Sequence, residues 1–174
     1  EVENAKKNLD KRTFEQEYLA SFLTAANRAA YNFSRDIHCR VMDKSPRMFW
    51  GIDFGVASYM TAILMCENTA GEVYVFDEIG LQNSNTFELA KLMQEKGRGL
   101  PVYPDPAGKA RTSNSTKSDH MILQEAGFTV ISKKANPTQK DRLNALNKML
   151  EDATGKQKLF INPKCKNTIR DLEL

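Results

Sequence analysis

The stretch FWGIDFG, residues 49–55, predicts a strand that ends on an acid. Apolar residues run up to Asp53, with Gly51 before it and Gly55 after it. A short apolar run of this kind is consistent with a buried strand. A carboxylate at the end of a buried strand costs free energy unless a hydrogen bond or an opposite charge compensates for the lost water. The first question is therefore what Asp53 binds.

Two further strands follow closely. Residues 58–66 (SYMTAILMC) and 72–79 (EVYVFDEI) have strand composition, and the turn sequence ENTAG at 67–71 separates them. Strands joined by such short turns pair in antiparallel fashion. Residues 48–54, 58–66 and 72–79 are therefore predicted to form an antiparallel meander.

After the meander, strand and helix patterns alternate. Asn85, with Glu88 three residues later, predicts a helix start, and Leu89, Leu92 and Met93 are expected to face inward. The later predicted elements are a strand at 100–105, a helix at 118–126, a strand at 128–132, a helix at 138–150, a strand at 159–161 and a last helix after Pro163. The order βββαβαβαβα predicts an α/β fold with a mixed sheet flanked by helices.

Composition limits the class of protein. A chain of 174 residues, of which 41% are hydrophobic, suffices for one core of ordinary size. Its three cysteines lie far apart without a CxxC pair, which favours a reducing compartment over a disulfide framework. No apolar run approaches the roughly 20 residues of a membrane span, so we expect no membrane partner.

The acids at strand ends are the candidates for chemistry. Asp53 closes the first strand and Asp105 closes the strand at 100–105. In open α/β sheets, sites form at the carboxyl ends of strands, so these two acids can meet there and share a divalent cation. Asp77 and Glu78 are also predicted to end a strand, on opposite faces, so at most one of them would reach the site.

Plainer interpretations remain open at this point. Asp53 and Asp105 each have the chemistry of a turn or cap residue, and DPAG at 105–108 has the composition of a turn. Gly55 suits a tight exit or a close backbone approach. His38 and His120 stand alone, which favours surface or packing roles over catalysis.

Basic residues outnumber acidic ones between positions 109 and 142. A local basic surface attracts polyanions even where the net charge is only +3, although a solvated surface explains the same pattern. The basic residues that could bind a polyanion include Lys109, Arg111, Lys133, Lys134, Lys140 and Arg142.

Four stretches together resemble the nuclease domain of the large terminase subunit of tailed bacteriophages. They are FWGIDFG at 49–55, VYPDPAG at 102–108, NPTQKDRLNALNKML at 136–150 and LFINPKCKNTIRDL at 159–172. RTFEQEYLASF at 12–22 is similar to the segment that leaves the ATPase domain of that family. No one motif is specific, but their order strengthens the resemblance.

The resemblance implies an RNase H-like nuclease that uses Mg²⁺ or Mn²⁺, and it makes the six basic residues named above candidate contacts to the phosphates of nucleic acid. Two such ions can activate water for attack on a phosphodiester. Such enzymes cut concatemeric double-stranded DNA when packaging starts and when it ends, in the host cytoplasm. The first two metal-ligand acids of the family fall on Asp53 and Asp105. The third is expected beyond Leu174.

The resemblance also implies a domain plan and partners. Residues 1–45 are expected to be a helical leader from an absent ATPase domain, with Phe14, Tyr18 and Phe22 on one side of a helix. Residues 46–174 are expected to be the nuclease domain without its C-terminal end. In the full protein, the implied partners are an ATPase domain, the small terminase subunit and the portal. No GxxxxGK[ST] motif occurs, so no ATPase is assigned to this chain.

Three rival functions remain. An actin-like or sugar-kinase ATPase also begins with a strand ending in Asp and Gly, but it needs a second lobe and a second phosphate loop. Another RNase H-like nuclease, such as a Holliday-junction resolvase, would use the same chemistry on different DNA. A non-catalytic module that docks on DNA or on the portal would keep these acids for structural reasons.

Overall fold

The computed structural model describes residues 8–10, 13–14, 28–55, 59–110 and 116–174. The described strands are β1 (Arg47–Asp53), β2 (Tyr59–Glu67), β3 (Val73–Gln82), β4 (Pro101–Pro104), β5 (Thr129–Val130) and β6 (Leu159–Ile161). The described α-helices are α1 (Arg35–His38), α2 (Thr86–Gly97), α3 (Asp119–Glu125), α4 (Gln139–Leu150) and α5 (Lys166–Glu173), with a 3-10 helix at Pro106–Lys109. From β1 onward the predicted order of strands and α-helices is confirmed.

The strands form one mixed sheet in the order β5-β4-β1-β2-β3-β6. β1 and β2 are antiparallel, from Arg47 opposite Glu67 to Asp53 opposite Thr61. β1 and β4 are parallel, and so are β4 and β5. The sheet therefore starts as a meander and continues with parallel βα units on the other side of β1, as the sequence predicts.

The chain divides into two compact units. The first unit comprises the described residues up to Asp43 together with Asn68–Tyr74 and Pro137–Leu174. The second unit comprises Lys44–Glu67 and Val75–Asn136. These boundaries follow spatial contacts, and the predicted division at residue 45 stays a prediction.

The core of the second unit follows from alternation along its strands. Trp50 and Ile52 on β1 are buried, whereas Phe49 and Gly51, which alternate with them, are only partly buried. Successive side chains of a strand point to opposite faces, so β1 turns one apolar face into the core. α2 packs Leu89 and Met93 into this unit as predicted, while Leu92 is only half-buried.

The first unit has a core that includes a satisfied polar side chain. Asn147 of α4 is fully buried, in a unit whose buried apolar residues include Leu150, Phe160 and Ile161. Its Oδ1 accepts the Asn32 N–H at 3.0 Å, and its Nδ2 donates to a backbone carbonyl of α4. Because a buried amide is tolerated only when hydrogen-bonded, Asn147 joins α4 firmly to the segment before α1.

Two strand predictions are wrong in length. β3 runs to Gln82 instead of ending at 79, because strand pairing carries the backbone past Gly80 despite the weak strand preference of glycine. β5 keeps only Thr129–Val130 of the predicted 128–132, since the chain leaves the sheet after Val130. In the leader, Phe14 is buried, whereas Tyr18 and Phe22 lie outside the described residues.

All three cysteines, Cys39, Cys66 and Cys165, are free thiols. Within the described ranges, no helix is long and apolar enough to cross a membrane.

Candidate active site

Asp53 and Asp105 lie at the carboxyl ends of two neighbouring parallel strands. Asp53 is the last residue of β1, and Asp105 directly follows β4. The parallel register pairs Ile52 with Pro104, so the two acids take the next matching positions. The Asp105 N–H donates to the Ile52 carbonyl at 3.1 Å and holds the strand ends together. Backbones paired in this way lie about 4.8 Å apart, so Asp53 and Asp105 are neighbours across the ends of the two strands.

Both acids lie on the less buried face of the second unit's sheet. Trp50 and Ile52 occupy the buried face of β1, so alternation turns Asp53 the other way. On β4 the exposed residue is Tyr103, whose ring meets the Phe49 ring edge-on at 5.6 Å between centroids. The sheet thus presents its two terminal acids on an accessible face, where a substrate can reach them.

Local hydrogen bonds hold each carboxylate. Asp53 Oδ1 accepts the Gly55 N–H at 3.1 Å, and Asp105 Oδ1 accepts the Ala107 N–H at 2.7 Å. Asp105 Oδ2 also accepts a hydrogen bond from Asn136 Nδ2 at 2.9 Å. The interpretation of Asp53 and Asp105 as turn and cap residues is therefore confirmed.

Gly55 allows the chain to leave β1. Its φ is +55°, and a Cβ at this position would stand 1.8 Å from the Tyr59 carbonyl oxygen. The prediction that Gly55 serves a close backbone approach is confirmed. No L side chain fits here, so the glycine secures the backbone that follows Asp53.

A buried cluster supports the loop that carries Asp105. His120 of α3 is 6% exposed, and its ring packs against Phe54 at 6.1 Å between centroids. Its Nε2 lies 2.9 Å from the Asp105 carbonyl oxygen, which can only accept, so Nε2 carries the proton. Gly108 packs against both rings. The predicted packing role of His120 is confirmed, whereas its bond to Asp105 has no signal in the local sequence.

The sequence reasoning also missed Asn136. Its hydrogen bond to Asp105 spans 31 positions, and its neighbours Ala135 and Pro137 indicate only a loop. No local pattern signals such a contact. One feature would have suggested the contact with Asp105. It is an amide side chain that follows, by a few residues, the strand next to the acid-bearing strand.

Asp77 and Glu78 lie inside β3, so the prediction that they end a strand is wrong. Asp77 Oδ2 accepts a hydrogen bond from Lys96 Nζ at 2.9 Å, and Asp77 Oδ1 accepts the Glu78 N–H. A metal-ligand role for either acid stays a prediction.

The predicted nucleic-acid contacts fall into three groups. Lys109, Lys133 and Lys134 are exposed in the second unit, where Lys109 Nζ donates to the Lys133 carbonyl. Lys140 and Arg142 are exposed on α4, in the first unit. Arg111 lies outside the described residues. The structure thus places two lysines of the 109–134 region beside each other, on the loop after Asp105 and on the segment after β5.

The donor set at the two strand ends fits a hard divalent cation. Asp53 and Asp105 offer carboxylate oxygens, which Mg²⁺ and Mn²⁺ prefer over softer donors. Across the described part of the chain, no three His, Cys, Asp or Glu side chains gather into a metal-binding group. That Asp53 and Asp105 bind a cation together stays a prediction.

Comparison with known proteins identifies the fold. No protein-family model and no curated protein matches the chain. Among solved structures, the nuclease domain of the P22 large terminase is similar with a TM-score of 0.69 and 12% identity, covering 86% of this chain and 79% of that one. The large terminase nuclease domain of bacteriophage SPP1, solved with bound Mn, gives a TM-score of 0.52 at 16% identity over 73% and 67% of the two chains.

A longer relative is also similar. The large terminase of a thermophilic bacteriophage, solved in complex with ADP, has a TM-score of 0.70 and 18% identity to this chain. The match covers 99% of this chain but only 43% of that longer protein. The chain therefore has the RNase H-like fold of terminase nuclease domains, and the predicted fold class is confirmed.

Proposed function

We propose that this chain is the nuclease domain of a viral DNA-packaging terminase, a Mg²⁺- or Mn²⁺-dependent endonuclease. It would cut concatemeric double-stranded DNA at the start and at the end of packaging. The observation that supports this most is the matched position of Asp53 and Asp105 at the ends of two paired parallel strands. The RNase H-like fold, shared with terminase nuclease domains, is consistent with it.

The proposed chemistry assigns a task to each group. Asp53 and Asp105 would hold the cations through their carboxylate oxygens, in a site kept in shape by the Ala107 and Gly55 N–H groups. Bound Mg²⁺ or Mn²⁺, as two ions, would supply a water of lowered pKa and neutralise charge on the scissile phosphate. The exposure of Asp53 leaves room for a DNA backbone to approach.

Basic side chains would hold the DNA. Lys109, Lys133 and Lys134 are exposed in the same unit as the acids, and lysine contacts to phosphates position a duplex without reading its bases. We propose the same role for Arg111, Lys140 and Arg142. Cleavage would accordingly weaken steeply with salt and show little sequence preference.

Other proposed properties concern the full protein. The large terminase of the thermophilic bacteriophage, of which this chain matches less than half, is solved in complex with ADP. By analogy, an ATPase domain would precede this chain, as residues 1–45 suggest. Its further partners would be the small terminase subunit and the portal, in the host cytoplasm.

Nicking of supercoiled plasmid in Mn²⁺ tests the proposal. We expect Asp53→Ala and Asp105→Ala each to lower the nicking rate more than about 100-fold, since even the hydrogen-bond partners of metal ligands cost about 10- to 100-fold. Glu95→Ala removes an exposed acid of α2 and serves as the matched control. If Asp53→Ala nicks as fast as the unsubstituted protein, the assigned site is wrong.

The choice of substrate separates the proposed function from its rivals. Comparable rates on linear and supercoiled duplex favour a packaging nuclease, whereas strong preference for a four-way junction favours a resolvase. DNA binding with no cleavage in Mn²⁺ favours a docking module. Hydrolysis of ATP by this chain would favour the kinase-like ATPase.

A further inference from the structure

The segment after β5, residues 131–136, is attached to β4 and to the loop that follows β4. Its first residue, Ile131, donates its N–H to the Val102 carbonyl at 2.8 Å, beside the pairing of Val130 with Val102. The Lys133 carbonyl accepts a hydrogen bond from Lys109 Nζ. At the end of the segment, Asn136 Nδ2 donates to Asp105 Oδ2 at 2.9 Å. These three hydrogen bonds hold residues 131–136 against β4 and against the loop that carries Asp105.

We propose that Asn136 is a positioning residue that sets the orientation of the Asp105 carboxylate for cation binding. The inference rests on the proposed function, because it concerns the same acid. Ala107 holds Oδ1 from one side and Asn136 holds Oδ2 from the other. Two donors on two different oxygens restrict rotation about the Cβ–Cγ bond, and loss of the Asn136 amide would remove one of these restraints.

Ala107 and Asn136 each present a donor to the Asp105 carboxylate. The amide must present its nitrogen, since an amide oxygen at 2.9 Å from a carboxylate oxygen would be repelled. Ligating carboxylates are themselves commonly hydrogen-bonded, and the loss of such a partner weakens metal binding.

The same segment joins this acid to the proposed DNA contacts. Lys133 and Lys134 are exposed and precede Asn136 by three and two residues. A phosphate held by these lysines would restrain the backbone from which the Asn136 amide projects. Asn136 therefore connects substrate binding to the orientation of Asp105 without touching the substrate itself.

Titration of Mn²⁺ into the DNA-free protein, followed by the electron paramagnetic resonance signal of unbound Mn²⁺, tests the inference. We expect Asn136→Ala and Asn136→Leu to bind Mn²⁺ about 10-fold more weakly, and Asn136→Gln to recover most of the affinity through its longer amide. Gln124→Ala removes an exposed amide from α3 and should bind like the unsubstituted protein. The melting temperature without metal should stay unchanged in all four variants, because the Asn136 bond is exposed.

The outcomes separate this inference from the proposed function. Unsubstituted protein that binds no Mn²⁺ overturns the proposed function, and this inference with it. Unsubstituted protein that binds Mn²⁺, with equal affinity in Asn136→Ala and Asn136→Leu, overturns this inference alone. Weaker binding accompanied by a lower metal-free melting temperature also overturns it, because Asn136 would then be a structural residue.

Discussion

At the scale of single residues, the space around Gly108 constrains the loop that carries Asp105. A Cβ there would stand 2.3 Å from Phe54 Cε2 and 2.9 Å from His120 Cδ2. Both atoms belong to rings that pack against each other, so neither can move aside without disturbing the other. The absence of a side chain at 108 therefore lets the Asp105 loop lie directly on this aromatic pair.

We expect Gly108→Ala to lower the free energy of unfolding by about 1 to 3 kcal/mol, the usual cost of overpacking. Urea denaturation without metal measures this loss of unfolding free energy. Gly51→Ala is the matched control, since its Cβ would first meet Met65 Cε at 3.0 Å, at the end of a flexible side chain. A smaller loss of unfolding free energy in Gly108→Ala than in Gly51→Ala would show that the Phe54 and His120 rings move to accommodate the added methyl group.

Asp53 and Asp105 show how one residue serves structure and chemistry together. Each accepts a backbone N–H two residues later, from Gly55 and Ala107, and so shapes the turn that ends its strand. These bonds also orient the carboxylates before any cation arrives. The turn interpretation and the ligand interpretation are thus compatible, and a test of metal binding decides only the second.

At the scale of elements, side-chain caps decide where the longer helices begin. Asn85 Oδ1 accepts the Glu88 N–H at 3.1 Å at the start of α2, and Thr138 Oγ1 accepts the Asp141 N–H at 3.2 Å at the start of α4. These bonds satisfy N–H groups that have no partner inside the helix. The predicted start of α2 is confirmed to the residue because capping depends on local sequence alone.

Removal of the α2 cap should cost stability. We expect Asn85→Ala to lower the free energy of unfolding by about 1 kcal/mol, and Asn85→Ser to retain most of it, since serine also accepts from the third N–H. Chemical denaturation monitored by circular dichroism measures both. Lys91→Ala, an exposed change within α2, should fall within about 0.5 kcal/mol of the unsubstituted protein. An Asn85→Ala loss no larger than that of Lys91→Ala would contradict the cap.

At the scale of the whole molecule, one buried acid is expected to make stability depend on pH. Burial by itself would raise the pKa of Asp152, but hydrogen bonds from the Thr154 hydroxyl and from the Lys156 and Thr154 N–H groups outweigh it. The pKa of Asp152 therefore lies below its ordinary value. A carboxyl with a lowered pKa stabilises the folded state above its unfolded pKa of about 4, and this contribution is lost as the pH falls through the folded value.

We expect Asp152→Asn to lower the free energy of unfolding by about 1 kcal/mol at pH 7, because hydrogen bonds to a charged acceptor are the stronger ones. The difference from the unsubstituted protein should shrink as the pH falls from about 5 towards 2. Urea denaturation across this range measures it, with Asp43→Asn as the control for loss of an exposed carboxylate. A difference that stays constant across the range would exclude ionisation of Asp152 as its cause.

Prediction from the sequence succeeded for features that a few neighbouring residues determine, and it failed for strand ends that depend on pairing with another strand. The apolar run of β1, the turn at 67–71 and the cap of α2 are readable along a few residues. The lengths of β3 and β5 are not, because strand ends depend on which neighbour still offers hydrogen bonds. The misplacement of Asp77 and Glu78 at a strand end followed directly from the wrong end of β3.

By itself, the sequence determined the order of strands and helices, the two acids at strand ends and the glycine that follows Asp53. These features come from side-chain periodicity and turn chemistry, which act within a few residues. Only the tertiary structure decided that β1 and β4 pair in a register that matches Asp53 with Asp105. It alone brought His120 and Asn136 to Asp105, because contacts across 15 and 31 positions depend on packing and strand pairing that no local pattern encodes.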